Sequence, residues 1–298
     1  MNQAVGNFMA SRVTVIAEIG SNYNGSLELA KQYVIASKTA GANAVKFQTL
    51  RRDLLVAPHI IRSEQLVDNP SYDKFASLGL PDEWHYEIKS AADKEGIEFF
   101  STPFYLGAVD LLESVGVSTY KIASGDITFF PLLERVGWTG QRVLLSTGAS
   151  SLGDVERALE VLTAAGTHDI VLLHCVCNYP PQWDEINLRA MVTLREAFGF
   201  PVGISDHSPG SVIPIAAVAL GASVIEKHVT FDRDLSGPDH SFAMTLDEFG
   251  GMVKQVRLLE RSLGTGQKAP TKTEMEKQSR LRRSAYGLDE RWLRPEGE

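Results

Sequence analysis

Short apolar runs that recur at intervals of roughly 20 to 30 residues constrain the fold of this chain more than any other feature. Each run predicts a buried strand, because it is rich in Val, Ile, Leu and Phe and is bounded by Gly, Ser or Pro. Segments with helical periodicity separate the runs. Eight such units within 298 residues predict an α/β fold, a (β/α)8 TIM barrel, with a doubly wound sheet as the alternative. The predicted strands are residues 13–19, 44–48, 97–102, 119–122, 143–146 and 170–174, and two runs near Val202 and Val224.

One interval breaks this rhythm, between the strand that ends at Gln48 and the strand that starts at Ile97. The extra segment, residues 49–80, is polar and contains Pro58 and Pro70. A long excursion at the catalytic face of a barrel is typical of a lid or a substrate loop. A surface insertion without a role is the alternative.

Two histidines follow the last two predicted strands, His207 after one and His228 at the end of the other. A helix-like segment, residues 214–220, separates these strands, so they are predicted to be parallel neighbours. Both imidazoles then lie at the same end of the sheet, where they form a plausible half-set of ligands for a divalent metal. The alternative is one satisfied core histidine and one surface histidine.

Two lysines interrupt apolar strands, Lys46 and Lys121, although a buried lysine is costly unless it is paired. If both point into the barrel, they provide a cationic floor for a phosphate or a carboxylate. Ser124 and Ser146 stand at strand ends close to glycines, where hydroxyls and backbone amides can hold phosphate oxygens. Ordinary turn chemistry is the alternative for each serine. Glu18 and Asp126 add carboxylates for proton transfer or hydroxyl binding.

Charge and cysteine content exclude several classes of protein. The chain has 29 basic and 37 acidic residues, a net charge of −8, and no basic stripe, so nucleic acid and anionic membranes are poor partners. The two cysteines, Cys175 and Cys177, lie in one apolar run, which predicts buried packing without a mutual disulfide and a reducing compartment. We expect a soluble, cytoplasmic protein, because no signal peptide or membrane-spanning run is present.

Three regions follow from this organisation. Residues 1–12 form an N-terminal extension, residues 13–270 form the barrel, and residues 271–298 form a highly charged tail.

The motifs at the predicted strand ends also resemble those of the sialic acid synthase family. The resemblance runs in order from about residue 13 to about residue 285 and is highly specific as a combination. The motifs are Ile16-Ala17-Glu18-Ile19-Gly20, Val45-Lys46-Phe47-Gln48, Ser101-Thr102-Pro103-Phe104, Lys121-Ile122-Ala123-Ser124-Gly125-Asp126, Ser146-Thr147-Gly148, Tyr179-Pro180, Ser205-Asp206-His207, Glu226-Lys227-His228 and Gly237-Pro238-Asp239-His240.

The resemblance implies a reaction and a role for each motif residue. It implies condensation of phosphoenolpyruvate with an N-acetylated hexosamine, such as N-acetylmannosamine, to a nine-carbon 2-keto acid (a nonulosonate) with release of phosphate. It also implies that Glu18, His207 and His228 are catalytic and that both histidines bind a divalent metal, Mn²⁺ with Mg²⁺ or Co²⁺ as alternatives. Phosphoenolpyruvate would be held by Lys46, Thr102, Lys121, Ser124 and Ser146, and the open-chain sugar would be faced by Glu18, Gln48, Asp126, Tyr179 and Asp239.

The sequence also departs from the family pattern. Tyr23 stands where the family often has histidine, Asp126 where some members have glutamate, and Cys177 where the residue is often polar. Family members are dimers that usually carry a C-terminal antifreeze-like domain after a stretch like Arg-Arg-Ser-Ala-Tyr at residues 282–286. The resemblance therefore implies a homodimer, and because the chain ends twelve residues after this stretch we expect an open sugar site. The alternatives are a different aldehyde substrate or a separate lid protein.

Overall fold

A computed structural model of the protein describes residues 12–282 together with residues 287–288 and 291–292. The chain divides into two compact units, one ending at Ser262 and the other starting at Leu263. Except for Arg12, the predicted N-terminal extension lies outside the described residues, and so do residues 283–286 of the Arg-Arg-Ser-Ala-Tyr stretch.

The first unit alternates strands and helices along its length. Its strands are β1 (Thr14–Gly20), β2 (Ala44–Thr49), β3 (His59–Arg62), β4 (Gln65–Asp68), β5 (Glu98–Pro103), β6 (Thr119–Ile122), β7 (Arg142–Ser146), β8 (Ile170–Cys175), β9 (Val202–Asp206), β10 (Val224–Thr230) and β11 (Met244–Thr245). Its helices are α1 (Leu27–Thr39), α2 (Arg52–Leu55), α3 (Asp82–Glu95), α4 (Leu106–Val115), α5 (Phe130–Gly137), α6 (Leu152–Ala165), α7 (Ala190–Phe198), α8 (Val212–Ala219) and α9 (Leu246–Leu263), which ends one residue into the second unit.

Eight parallel strands close into a barrel in the order β1, β2, β5, β6, β7, β8, β9, β10, and β10 pairs back onto β1. This arrangement confirms the predicted (β/α)8 barrel, and the doubly wound alternative is wrong. The eight predicted strands are all present, with ends that differ by a residue or two. In the second unit, α10 (Lys272–Met275) and α11 (Gln278–Leu281) precede an antiparallel pair, β12 (Gly287–Leu288) and β13 (Arg291–Trp292).

The barrel interior has an apolar floor directly below its polar end. Seven buried residues form this floor: Ile16, Ala44, Phe100, Leu144, Val171, Leu173 and Val224. Since side chains two apart on a strand share a face, Ile16 lies below Glu18, Ala44 below Lys46 and Val224 below Glu226. Gly203 completes the floor, because a Cβ there would lie 2.4 Å from the Val224 carbonyl oxygen. The main core lies between the strands and the surrounding helices.

Helix α6 shows how the local sequence determines where a helix of the barrel begins and ends. Ser151 accepts a hydrogen bond from the Asp154 amide, and the Asp154 carboxylate accepts one from the Ser151 amide, which is a capping box. The helix ends at Gly166, whose φ of +118° is a conformation that favours glycine.

The excursion between β2 and α3 is an ordered segment with its own secondary structure. It contains α2, the antiparallel hairpin of β3 and β4, and a 3₁₀ turn at Asp73–Ser77. Tyr23, which follows β1, donates a hydrogen bond to the Leu78 carbonyl at 3.1 Å and so ties the end of the excursion to the barrel. The long excursion is therefore present where the sequence predicts it, and its role as a lid stays a prediction.

A buried histidine joins the two ends of this excursion. His85 Nδ1 lies 3.0 Å from the Pro81 carbonyl and must donate to it, so Nε2 accepts from the Thr49 hydroxyl at 2.8 Å. Thr49 then accepts from the Ser101 hydroxyl at 2.7 Å. His85 is fully buried, and burial lowers its pKa, which keeps the ring neutral as this chain of bonds requires. Thr49 and Ser101 adjoin the predicted site residues Gln48 and Thr102.

We expect His85→Leu to lower the free energy of unfolding by about 2 kcal/mol, because the buried Pro81 carbonyl and the Thr49 hydroxyl lose their partner. Chemical denaturation measures this change. The matched control is His168→Leu at an exposed histidine, for which we expect less than about 0.5 kcal/mol. Equal effects of the two substitutions would contradict the role of His85.

Candidate active site

The polar residues that the sequence singles out meet at the carboxyl ends of the barrel strands. They come from β1, β2, β5, β6, β7 and β10 and from the segments that follow β6, β8, β9 and β10. Seven of them are buried, namely Glu18, Lys46, Thr102, Lys121, Ser146, His207 and His228. Active sites of (β/α)8 barrels form at this end, and such a concentration of buried polar groups is typical of a catalytic centre.

Lys46 is the centre of a charged cluster. Its Nζ lies 2.9 Å from Glu18 Oε2 and 3.8 Å from Glu226 Oε1, and it donates to Thr102 Oγ1 at 3.1 Å. Gln48 donates to Glu18 Oε1 at 2.9 Å. The expectation of a cationic floor therefore needs correction at Lys46, because two buried carboxylates already neutralise this lysine.

The two carboxyls beside Lys46 have different proton affinities. Burial raises the pKa of Glu18 to about 7, although Lys46 opposes this rise. Burial also acts to raise the pKa of Glu226, but attraction to Lys46 and Lys121 outweighs it, so the net pKa lies below the ordinary value. Ser205 contributes to this by donating to Glu226 Oε1 at 2.9 Å. Glu18 is therefore the carboxyl best suited to exchange a proton near neutral pH.

The raised pKa of Glu18 predicts a pH-dependent stability. The native state binds the proton more tightly than the unfolded chain, so this stabilising contribution is present below pH 4.5 and is lost as the pH rises to about 7. We expect Glu18→Gln to gain about 3 kcal/mol relative to the wild type over this window. Urea denaturation at several pH values measures the difference, and a pH-independent difference would contradict the raised pKa.

Lys121 hydrogen-bonds to a hydroxyl and a carbonyl, whereas Lys46 contacts carboxylates. Its Nζ donates to Ser146 Oγ at 2.5 Å and to the Ile122 carbonyl at 2.9 Å. Burial lowers the pKa of this lysine. In the next turn, Ser124 Oγ accepts from the Gly148 amide at 3.0 Å. Lys121 and Ser146 are thus in contact, Ser124 contacts the turn that follows Ser146, and these groups can receive an anion.

His207 and His228 are neighbours, with ring centroids 5.3 Å apart. His207 Nδ1 donates to the Val176 carbonyl at 3.1 Å, so Nε2 carries the lone pair. His228 is buried, and its Nδ1 has no hydrogen-bond partner among the described residues. Two neutral imidazoles with free nitrogens fit a divalent metal. In the part of the chain that the structure describes, no group of three or more His, Cys, Asp or Glu side chains is placed to hold one, so the two rings are a partial ligand set.

Three further predicted residues surround the histidines or the lysines. Asp239 Oδ2 lies 3.7 Å from His228 Nδ1, and the ring centroids of Tyr179 and His207 are 4.2 Å apart. Asp126 lies in the turn after β6, close enough to Lys121 for the ammonium to attract its carboxylate, and its buried Oδ2 has no hydrogen-bond partner among the described residues. Burial raises the pKa of Asp126 and of Asp239 to about 6.

The sequence reasoning missed two features beside the histidines. Lys227 and Asp206 form a buried ion pair at 2.5 Å, and Lys227 also donates to the Ser208 carbonyl, so these contacts link strand β10, which carries His228, to the turn that carries His207. Phe242 packs edgewise on His228, with ring centroids 5.0 Å apart. Lys227 is a third lysine within an apolar strand, and this position indicates a buried ion pair. The sequence contains no comparable indication for Phe242.

One prediction about the cysteines is wrong. Strand β8 ends at the buried Cys175, and Cys177 lies beyond it and is exposed. The apolar run continues past the point where the strand stops, so only Cys175 packs in the core.

Comparison with known proteins agrees with this architecture. The sequence profile of the NeuB family matches residues 33–268. The N,N'-diacetyllegionaminic acid synthase of Legionella pneumophila is 40% identical over 279 residues, which cover 91% of this chain and 78% of that protein. The pseudaminic acid synthase of Campylobacter jejuni is 36% identical over 268 residues, which cover 88% and 78% of the two chains.

A solved structure extends the similarity to the fold. The N-acetylneuraminic acid synthetase of Leptospira borgpetersenii, determined in complex with citrate, superimposes with a TM-score of 0.82 at 34% identity and 90% coverage of both chains. Within the described residues, none of the helices combines the length and the apolar character needed to cross a membrane.

Proposed function

The chain belongs to the NeuB family, and from this premise we propose that it is a synthase that condenses phosphoenolpyruvate with an N-acetylated amino sugar. The product is a nonulosonate, a nine-carbon 2-keto sugar acid, and inorganic phosphate is released. The names of the relatives support this class, since they are synthases of legionaminic, pseudaminic and N-acetylneuraminic acids.

The observation that carries the proposal is the asymmetry between the two buried lysines. Lys46 contacts the carboxylates of Glu18 and Glu226 directly, whereas the hydrogen-bond partners of Lys121 are neutral oxygens and Glu226 attracts it only from a longer distance. A buried cation without a counter-ion in direct contact favours an incoming anion. In this proposal Lys121, Ser124 and Ser146 receive the phosphate of phosphoenolpyruvate, and Lys46 with Thr102 receives its carboxylate.

The remaining polar groups suit the sugar. Gln48, Glu18 and Asp239 converge on Gly20, where an added Cβ would lie 3.3, 3.4 and 2.9 Å from their polar atoms. In the proposed reaction the enol carbon of phosphoenolpyruvate forms a bond to the aldehyde carbon, and the aldehyde oxygen takes up a proton. Water adds to the resulting cation, and phosphate leaves the tetrahedral intermediate. Glu18 is the residue that we assign to proton transfer, and Asp126 and Tyr179 we assign to sugar hydroxyls.

His207 and His228 would hold the divalent metal, which supplies Lewis-acid polarisation of the aldehyde when it is bound. We propose Mn²⁺ for this site, with Mg²⁺ and Co²⁺ as alternatives. The neutral state of both rings, which burial favours by lowering their pKa values, leaves nitrogen lone pairs for the ion.

The test is a phosphate-release assay with the 298-residue chain, phosphoenolpyruvate, Mn²⁺ and a panel of N-acetylated hexosamines that includes N-acetylmannosamine. Mass spectrometry of the product identifies the nine-carbon acid. We expect phosphate release that requires both the sugar and the metal. The sugar that gives the highest kcat/KM identifies the acceptor.

Matched variants separate site chemistry from general charge effects. Lys121→Met is expected to abolish phosphate release, while Lys254→Met at an exposed lysine is expected to leave it unchanged. Absence of phosphate release with every sugar and metal, in folded protein, would overturn the proposed function.

A further inference from the structure

We propose that Cys177 is an oxidant-sensitive thiol at the phosphate end of the candidate active site, and that its modification blocks the anion subsite. The inference goes beyond the proposed condensation, and only its second half rests on that function. The modifying reagent is a hydroperoxide or another soft electrophile.

The thiol lies among the residues that we assign to the phosphate. A Cβ added to Gly148 would lie 2.5 Å from Cys177 Sγ and 2.8 Å from Ser124 Oγ, so the sulfur and the hydroxyl crowd against the same glycine. The amide of Gly148 donates to that hydroxyl at 3.0 Å. Cys177 is exposed, so a small reagent can reach its sulfur from solvent.

The neighbours of Cys177, above all Cys175, favour its thiolate form. The buried Cys175 thiol and the Ser124 hydroxyl can donate to a thiolate at Cys177, and the ammonium of Lys121 attracts one. Donation from Cys175, helped by Ser124 and Lys121, lowers the pKa of Cys177 to about 6, although partial desolvation of the sulfur opposes this shift. The pKa of Cys175 is raised well above its ordinary value, so Cys175 stays a thiol and acts as the donor. Cys175 is therefore a positioning residue for the Cys177 sulfur.

The chemistry of the modification is a simple displacement. The Cys177 thiolate attacks one oxygen of a hydroperoxide, an S–O bond forms, and the O–O bond breaks. The leaving alkoxide or hydroxide takes up a proton, and the sulfur becomes a sulfenic acid, oxidised by two electrons. The added oxygen occupies space beside Ser124 and Gly148, where the phosphate oxygens are proposed to bind. Bound phosphoenolpyruvate should in turn cover the thiol.

The test measures the rate of alkylation by iodoacetamide at pH 6, with peptide mapping by mass spectrometry on the full chain. At this pH we expect Cys177 to react about tenfold faster than N-acetylcysteine, because its larger thiolate fraction outweighs its lower intrinsic nucleophilicity. Cys175→Ala should remove most of this advantage, whereas Cys175→Ser, which keeps a donor, should retain it. Labelling of Cys175 should be at least tenfold slower than labelling of Cys177.

The second arm tests the connection to the anion subsite. Saturating phosphoenolpyruvate should slow labelling at least tenfold, and hydrogen peroxide should weaken phosphoenolpyruvate binding in the wild type but not in Cys177→Ser. Labelling of Cys177 no faster than that of N-acetylcysteine would overturn the proposal. If calorimetry shows that the protein is saturated with phosphoenolpyruvate and the labelling of Cys177 is still undiminished, the blocking role is overturned. If calorimetry detects no phosphoenolpyruvate binding, the proposed function fails, and the alkylation rates alone decide whether Cys177 is reactive.

Discussion

Lys46→Met is expected to lower the free energy of unfolding by about 3–5 kcal/mol at pH 8 and to abolish phosphoenolpyruvate binding. The substitution leaves the carboxylates of Glu18 and Glu226 buried without their shared counter-ion. Sequence reasoning alone favours a small effect on stability, because a buried lysine without a partner destabilises the fold. The ion pairs reverse that expectation. Chemical denaturation measures the stability, and calorimetry measures the binding.

A double substitution separates the two consequences. Lys46→Met combined with Glu18→Gln removes one of the orphaned charges, so it should recover at least about 1 kcal/mol of the lost stability without restoring binding. Lys254→Met provides the exposed control. If the single variant is as stable as the wild type at pH 8, the ion pairs do not stabilise the fold.

His207→Ala and His228→Ala are each expected to weaken Mn²⁺ binding at least 100-fold while the fold persists. The two rings are neighbours, and each has a nitrogen that is free for a metal, so loss of either ring removes half of the protein ligand set that we propose. Calorimetric titration of the protein with Mn²⁺ measures this effect without any assay of activity. Circular dichroism checks the fold.

The control for this experiment is His168→Ala, at an exposed histidine in the loop before β8. It should bind Mn²⁺ as the wild type does. Equal affinities in the wild type and both active-site variants would remove the basis for a metal at these histidines and would require another source of aldehyde activation.

Much of the fold and the location of the site could be predicted from the sequence because both depend on period and order. Strands that are buried on both faces appear as apolar runs, and parallel strands place their carboxyl ends together. Residue pairs such as Glu226 and His228 share a face because side chains alternate along a strand. The neighbouring positions of His207 and His228 followed from a single strand–helix–strand unit.

What the sequence could not show are contacts between strands that are far apart along the chain. The partners of Lys46 come from β1 and β10, and their distances depend on how the barrel closes. His85 belongs to α3, and only the packing of that helix on β5 brings it to Thr49. The exposure of Cys177 depends on where β8 stops pairing, which an uninterrupted apolar run does not reveal.

The alternation along β10 also limits which changes in length this protein can accept. Glu226 and His228 belong to the site, while Lys227 between them forms its ion pair with Asp206. Deleting or inserting one residue before Glu226 would shift the strand register and turn every side chain beyond that point to the opposite face. The ammonium of Lys227 would then enter the site, and the carboxylate and imidazole would leave it. Homologues can therefore vary in the loops that flank β10, whereas the spacing within the strand is expected to remain fixed even where the residues change.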